Sequence, residues 1–278
     1  MFRLHLYESI QTAWSGKVSD LHDNTKARVL SPGEPHPLEI FNQSATSDYF
    51  LICEHAGNRI PRSLGTMGLS ETDRQRHIAW DIGARAVAIE LSKLLDAPLY
   101  TQRYSRIVCD CNRRPDVAAF TPLRSEATDV PGNMNLTPEA SEARAREIFW
   151  PFHNAVTEAL DDRRQRGIPT KLVTVHSFTP VYLGQKRPWE IGVLFNRDPD
   201  LAPSVAAWLK ENTDLCIGIN EPYAVGDDTD YAIPVHGEQR GLPCVEFEIR
   251  NDLIADASAA PHWATILRDA LVGSSRSD

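Results

Sequence analysis

The sequence predicts one three-layer α/β/α domain built on a mostly parallel, mixed sheet. Three observations point there. Short apolar runs of strand length alternate with longer segments whose apolar residues recur at helical spacing. The 278 residues suffice for one large core. Several of the apolar runs also stop at histidine, carboxylate or Asn-Arg, and the carboxyl edge of an open α/β sheet is where ligands and catalytic groups gather.

Residues 1–48 are weakly periodic and include the Pro-rich stretch from Ser31 to Pro37. They are expected to form an arm packed on the domain, with the domain proper over 49–273 and a polar tail over 274–278. Tyr49–Cys53 reads as a buried strand that ends in Glu54 and His55, and Gly57 lets the chain turn. His55 is then a metal ligand or general base, against the plainer role of capping a strand. Ala79–Leu95 reads as a helix with Asp81 in its first turn. A carboxylate there either stabilises the helix end or points back toward His55.

Pro98–Thr101 and Arg106–Cys111 read as strands, the second closing in Asp110-Cys-Asn-Arg113. Arg103, Arg106 and Arg114 add a basic cluster. The loop-like stretch from Pro115 to Asn135 is long enough to act as a lid. Thr137-Pro138 opens a helix that runs to about Arg166, with a break expected near Pro151. Lys171–Val175 is a further strand, and it ends in His176 and Ser177. Two strands ending in histidine are what a divalent metal site on a sheet edge requires. Ile191–Phe195 reads as a strand and Ala202–Asn212 as a helix. Asn220-Glu-Pro-Tyr223 starts a polar loop that carries His236, read as a backbone-bonded loop histidine. Pro243–Ile249 reads as a strand holding Glu246 and Glu248, with Arg250 after it, and a last helix covers Ala259–Leu271. A carboxylate inside an apolar strand is costly unless paired, which marks Glu248 as functional or as half of an ion pair.

Bulk properties narrow the partners. A net charge of -9 argues against nucleic acid and against anionic membranes. No segment approaches the ~20 apolar residues needed to span a bilayer, and Met1–Gly16 lacks the apolar core of a signal peptide. Five cysteines, mostly in strand-like runs, suit reduced thiols in the cytoplasm. A small anionic substrate remains open if its site is locally basic.

In order, the residues at the strand ends are His55, Asp81, Asn112-Arg113, His176-Ser177 and Glu248-x-Arg250. This series resembles the zinc carboxypeptidase superfamily. More closely, the chain resembles the N-formylglutamate amidohydrolase family within that fold. The resemblance rests on Glu54-His-Ala-Gly-Asn-Arg-Ile-Pro61, Asp81-Ile-Gly-Ala84, Ser105-Arg-Ile-Val-Cys-Asp-Cys-Asn-Arg113, Val175-His-Ser-Phe-Thr-Pro180, Asn220-Glu-Pro-Tyr223 and Glu246-Phe-Glu-Ile-Arg250. It covers roughly residues 45 to 272.

The resemblance implies one zinc per chain, held by His55, His176 and a carboxylate. The peptidases take their early ligands from His-x-x-Glu, whereas Asn58 stands at the fourth position here. Asp81 is therefore the expected third ligand, with Asn58 and Glu54 as alternatives. The family pattern further implies Glu248 as general base, with Asn112 and Arg113 on a substrate carboxylate. Ser177 joins the substrate site, and Arg250 or Arg106 holds a second carboxylate or the oxyanion. The implied activity is hydrolysis of a small N-acyl amino acid, N-formyl-L-glutamate being the family's named substrate. Two other readings stand beside it. One is a carboxypeptidase-type enzyme on short or cell-wall peptides, and the other is a non-catalytic binder of small anions.

Overall fold

The computed structural model describes residues 28–274. The start of the expected arm, the Met1–Gly16 stretch and the last four residues lie outside the described residues. Seven strands form the central sheet: β1 (Leu38–Phe41), β2 (Tyr49–Cys53), β3 (Leu99–Gln102), β4 (Lys171–Phe178), β5 (Ile191–Leu194), β6 (Ile217–Ile219) and β7 (Cys244–Arg250). Their spatial order is β1-β3-β2-β4-β7-β5-β6. The neighbours β3, β2, β4 and β7 run parallel, β1 is antiparallel to β3, and β5 is antiparallel to β7. The sheet is thus mixed and mostly parallel, as the alternation of apolar runs predicts.

Side-chain alternation divides the core in two. Leu51, Cys53, Val173, Val175, Val245 and Phe247 face one way. They pack against helices α2 (Ala84–Leu95), α5 (Leu201–Asn212) and α6 (Ala260–Ser274). Phe50, Ile52, Leu172 and Cys244 face the other layer, where Phe149, Phe152, Val156 and Leu160 cover them. That layer comprises α3 (Pro138–Arg144), a π turn over Ala145–Phe149 and α4 (Trp150–Gln165), and the short helix α1 (Glu71–Arg74) precedes α2 in the chain. On the second face the apolar residues fill the first half of each central strand, and beyond them only Phe178, at the end of β4, is apolar. Continuing by twos gives Glu54 after Ile52, Thr174 and His176 after Leu172, and Glu246 and Glu248 after Cys244. Four of these five are ionisable, and all are buried.

Several elements differ from the sequence expectation. The helix expected from Ala79 begins at Ala84, so Asp81 lies in the turn before it. Gly83 is the reason: its φ is +83°, and a Cβ there would sit 2.1 Å from the Ile254 carbonyl oxygen. Only glycine fits that close left-handed corner. Arg106–Cys111 is a chain of turns, not a strand. Ile107, Val108, Cys109 and Cys111 are all buried, so their apolar run reflects burial on every side instead of a place in the sheet. Pro151 does not break its helix, because the π turn just before it widens the backbone where proline removes a donor. The strand ending at His176 continues to Phe178. The Pro115–Asn135 stretch contains a two-rung hairpin, Arg124–Ser125 with Thr128–Asp129. Glu126 at its tip accepts hydrogen bonds from Arg76 and from the Leu183 amide.

Candidate metal centre and active site

The parallel pairing of β4 with β7 sets Glu248 beside His176, and β2 brings Glu54 and His55 to the same edge. Asp81 reaches them from the turn before α2, its amide donating to the His55 carbonyl oxygen at 3.0 Å. His55, Asp81 and His176 each offer a ligand atom, and these atoms lie within 4.8 Å of one another. Asp81 Oδ2 is 3.3 Å from His55 Nδ1 and 2.9 Å from His176 Nδ1. Tetrahedral ligands on zinc, with bonds of ~2.0–2.1 Å, stand about 3.3 Å apart.

The opposite edge of each imidazole faces a second carboxylate. His55 Nε2 is 2.7 Å from Asp110 Oδ1, and His176 Nε2 is 3.1 Å from Glu54 Oε2. Ligating histidines are oriented by carboxylates placed in this way. Five carboxylates, Glu54, Asp81, Asp110, Glu246 and Glu248, are buried around these two histidines. Arg106 is the cation among them, donating to Asp110 Oδ2 at 2.8 Å and to Asp81 Oδ1 at 3.3 Å.

The titration behaviour reflects that surplus of negative charge. Burial would depress His176, yet Glu246, Glu54 and Asp81 hold it well above its ordinary value. Burial pushes the Glu248 carboxyl well up, and the Asp81 and Glu246 charges push it further. Glu246 rises to about 7, chiefly by burial, and Thr174 donates to its Oε2 at 3.2 Å. Glu248 Oε2 and His55 Nδ1 are buried without a hydrogen-bond partner among the described residues. Buried polar atoms without partners are costly, and a divalent cation would supply what this donor set lacks. The residues present fit a zinc ion.

The other residues singled out in the sequence fall into different places. Asn58 Nδ2 donates to Gln75 Oε1 at 3.2 Å in an exposed bond. Asn112 is fully engaged by protein: its Oδ1 accepts from the Tyr231 and Ala232 amides, and its Nδ2 donates to Asp230. Arg113 Nη1 donates to Asp230 Oδ1 at 2.9 Å while the side chain stays a quarter exposed. Ser177 secures the Asp81 turn, its amide donating to Asp81 Oδ2 and its hydroxyl to the Ile82 carbonyl oxygen. Arg250 donates to Asp252 and to the Pro188 and Trp189 carbonyl oxygens. It clamps the end of β7 to the loop before β5.

His236 is buried in a π turn and not loop-bound to backbone as its sequence context suggested. Its Nε2 is 2.9 Å from His153 Nδ1, and His153 Nε2 meets the Cys111 carbonyl oxygen at 2.7 Å. Sequence reasoning left Asp110 without a role although it quoted the motif, and it passed over Arg187 altogether.

A profile of the N-formylglutamate amidohydrolase family matches residues 47–255, most of the chain. The chain belongs to that family. Membership makes it an amide-hydrolysing enzyme. A crystal structure of a gene product from Agrobacterium tumefaciens is similar to it with a TM-score of 0.87 at 39% identity, over 90% of this chain and 99% of that one. The structure of an N-formylglutamate amidohydrolase from Ralstonia eutropha JMP134 shares the fold, with a TM-score of 0.59 at 19% identity over 87% of this chain and 97% of that one. A comparison with curated proteins returns no match. The family match overlaps all the motifs at the strand ends, from Glu54 to Arg250. Among the described residues, no helix is long and apolar enough to cross a membrane.

Proposed function

We propose that the protein is a zinc-dependent amidohydrolase that cleaves N-formyl-L-glutamate to formate and glutamate in the cytoplasm. The observation that carries this reading is the trio His55, Asp81 and His176, with Asp110 and Glu54 behind the two imidazoles. Those three side chains would hold one zinc ion per chain. Zinc in such a setting acts as a Lewis acid on the amide carbonyl and lowers the pKa of water toward ~7.

The chain's own residues do the rest. Glu248 accepts a proton from the attacking water, whose oxygen bonds to the formyl carbon, and returns it to the nitrogen as the C–N bond breaks. Its Oε2, buried without a hydrogen-bond partner among the described residues, is free to take that proton. Arg106, adjacent to Asp81, stabilises the charge that develops on the carbonyl oxygen. Arg113 takes the α-carboxylate with the guanidinium edge turned away from Asp230, and Asn112 holds the Arg113 loop in place. Ser177 acts through Asp81, which it anchors.

The test is formate release from N-formyl-L-glutamate by the purified enzyme before and after chelation, with zinc then restored. The expected outcome is loss on chelation and recovery with zinc. Unchanged formate release in metal-stripped protein would contradict the reading.

A further inference from the structure

Four arginines border the site, and three of them are already paired with carboxylates. Arg106 is held by Asp81 and Asp110, Arg113 by Asp230, and Arg250 by Asp252. Arg187 is the fourth. Among the described residues no carboxylate lies within 4.0 Å of it, and its position is built by aromatic rings. Its guanidinium carbon lies 4.7 Å from the ring centroids of both Tyr182 and Tyr223, and 5.8 Å from that of Phe178. Phe178 follows His176 by two residues on β4, so its ring is the next side chain outward on the strand face that carries the histidine. Arg187 therefore stands at the mouth, one step outside the metal-binding trio.

Its surroundings share the field of the site. The Tyr223 phenol is raised first by burial and then by the Glu248 charge, while Arg187 and Arg106 act against that. Arg187 Nη1 donates to the Tyr223 hydroxyl at 2.9 Å, and the Arg187 amide donates to the Pro180 carbonyl oxygen at 2.9 Å. Stacked rings cover the faces of a guanidinium and leave its in-plane N–H groups for a planar anion. Nε and Nη2 have no hydrogen-bond partner among the described residues. An unneutralised guanidinium fixed in this way is a ready anion site in a protein whose net charge is -9.

We propose that Arg187, caged by Phe178, Tyr182 and Tyr223, binds the side-chain carboxylate of the substrate and sets the preference for acidic N-acyl amino acids. The inference rests on the amidohydrolase reading. An α-carboxylate sits next to the scissile nitrogen, close to the metal-binding trio, whereas a side-chain carboxylate lies further out, toward the mouth. Arg113, charge-balanced by Asp230, supplies geometry at the first position. Arg187 supplies net positive charge at the second.

The test uses zinc-loaded protein with L-glutamate and L-glutamine, the products of the acidic and neutral substrates, measured by calorimetry. Formate release from N-formyl-L-glutamate and N-formyl-L-glutamine is followed alongside. In the wild type, glutamate should bind about 10- to 100-fold more tightly than glutamine, the range of a charge-assisted two-pronged bond. Arg187→Gln should remove that difference by weakening glutamate alone, and Arg187→Lys should fall between. Circular dichroism and zinc content should match the wild type, since Arg187 touches neither core layer. A glutamate preference that survives in Arg187→Gln, or an equal loss for both ligands, overturns the inference. If glutamate binding depends on Arg187 but no formate is released from either compound, Arg187 is a carboxylate-binding residue, and the amidohydrolase reading, with the substrate preference built on it, fails.

Discussion

His55 Nε2 lies 2.7 Å from Asp110 Oδ1, and both groups are buried. Asp110 is held in turn by Arg106, which keeps its carboxyl well below the usual range even though burial works the other way. An ionised Asp110 can only accept, so Nε2 donates and Nδ1 keeps its lone pair toward Asp81. The tautomer of His55, a proposed zinc ligand, is thus set by a residue outside the proposed ligand trio.

Asp110→Asn keeps the shape and removes the charge. Zinc affinity should fall about 10- to 100-fold, the usual effect of losing a partner behind a ligand. Competition against a chromophoric chelator measures it, and unchanged affinity would mean that Asp110 serves only its loop.

Glu248→Gln should lower turnover about 100- to 10,000-fold, the usual contribution of a general base. Zinc content should stay at the wild-type level because Glu248 is not one of the three proposed ligands. Near-normal turnover would return Glu248 to a structural role and make Glu246, two residues earlier on the same face, the next group to test.

Gly83→Ala places a Cβ against the Ile254 carbonyl oxygen at a φ of +83°. The change should cost at least about 2 kcal/mol of stability. Because Gly83 follows Asp81 by two residues, zinc affinity should fall with it. A variant with wild-type unfolding midpoint and zinc affinity would show that the turn before α2 tolerates another shape.

The buried pair His153 and His236 makes stability depend on pH. Burial is the main cause that pushes His153 down to about 4 and His236 well below its ordinary value of 6.5. Both stay neutral in the folded protein while the unfolded chain binds protons below pH 6.5. Their contribution is therefore complete above pH 6.5 and is lost as pH falls toward about 4, at up to about 1.4 kcal/mol per pH unit for each histidine. Urea unfolding across that range should be steeper in pH for the wild type than for the double variant His153→Gln, His236→Gln. Equal slopes would show that the pair does not titrate on unfolding.

Much of the fold, and the gathering of the candidate residues at one sheet edge, was legible because the same alternation governs both. Phe50, Ile52 and Glu54 fall on one face by period two, as do Cys244, Glu246 and Glu248. A carboxylate in an apolar strand is visible in the sequence as an exception that needs a cause. Asp81 was found by residue type but misplaced into a helix, because the left-handed corner at Gly83 depends on Ile254, a residue remote in sequence. Arg106–Cys111 was misread as a strand since apolar runs look alike whether a sheet or a set of buried turns absorbs them. Arg187 carried no signal at all. Its cage is assembled from Phe178, Tyr182 and Tyr223, and only the folded chain brings the last of these within reach. The inward turn of Asn112 was likewise set by partners at Asp230 and Tyr231, more than a hundred residues away.

The central claim is that His55, Asp81 and His176 together hold one zinc ion. Metal analysis of the purified wild type beside His55→Ala, Asp81→Ala and His176→Ala tests it most directly. One zinc per wild-type chain and a loss of zinc from all three variants is the predicted result. Full zinc in Asp81→Ala would move the third ligand to Glu54 or Asn58, and full zinc in both histidine variants would contradict the metal centre itself.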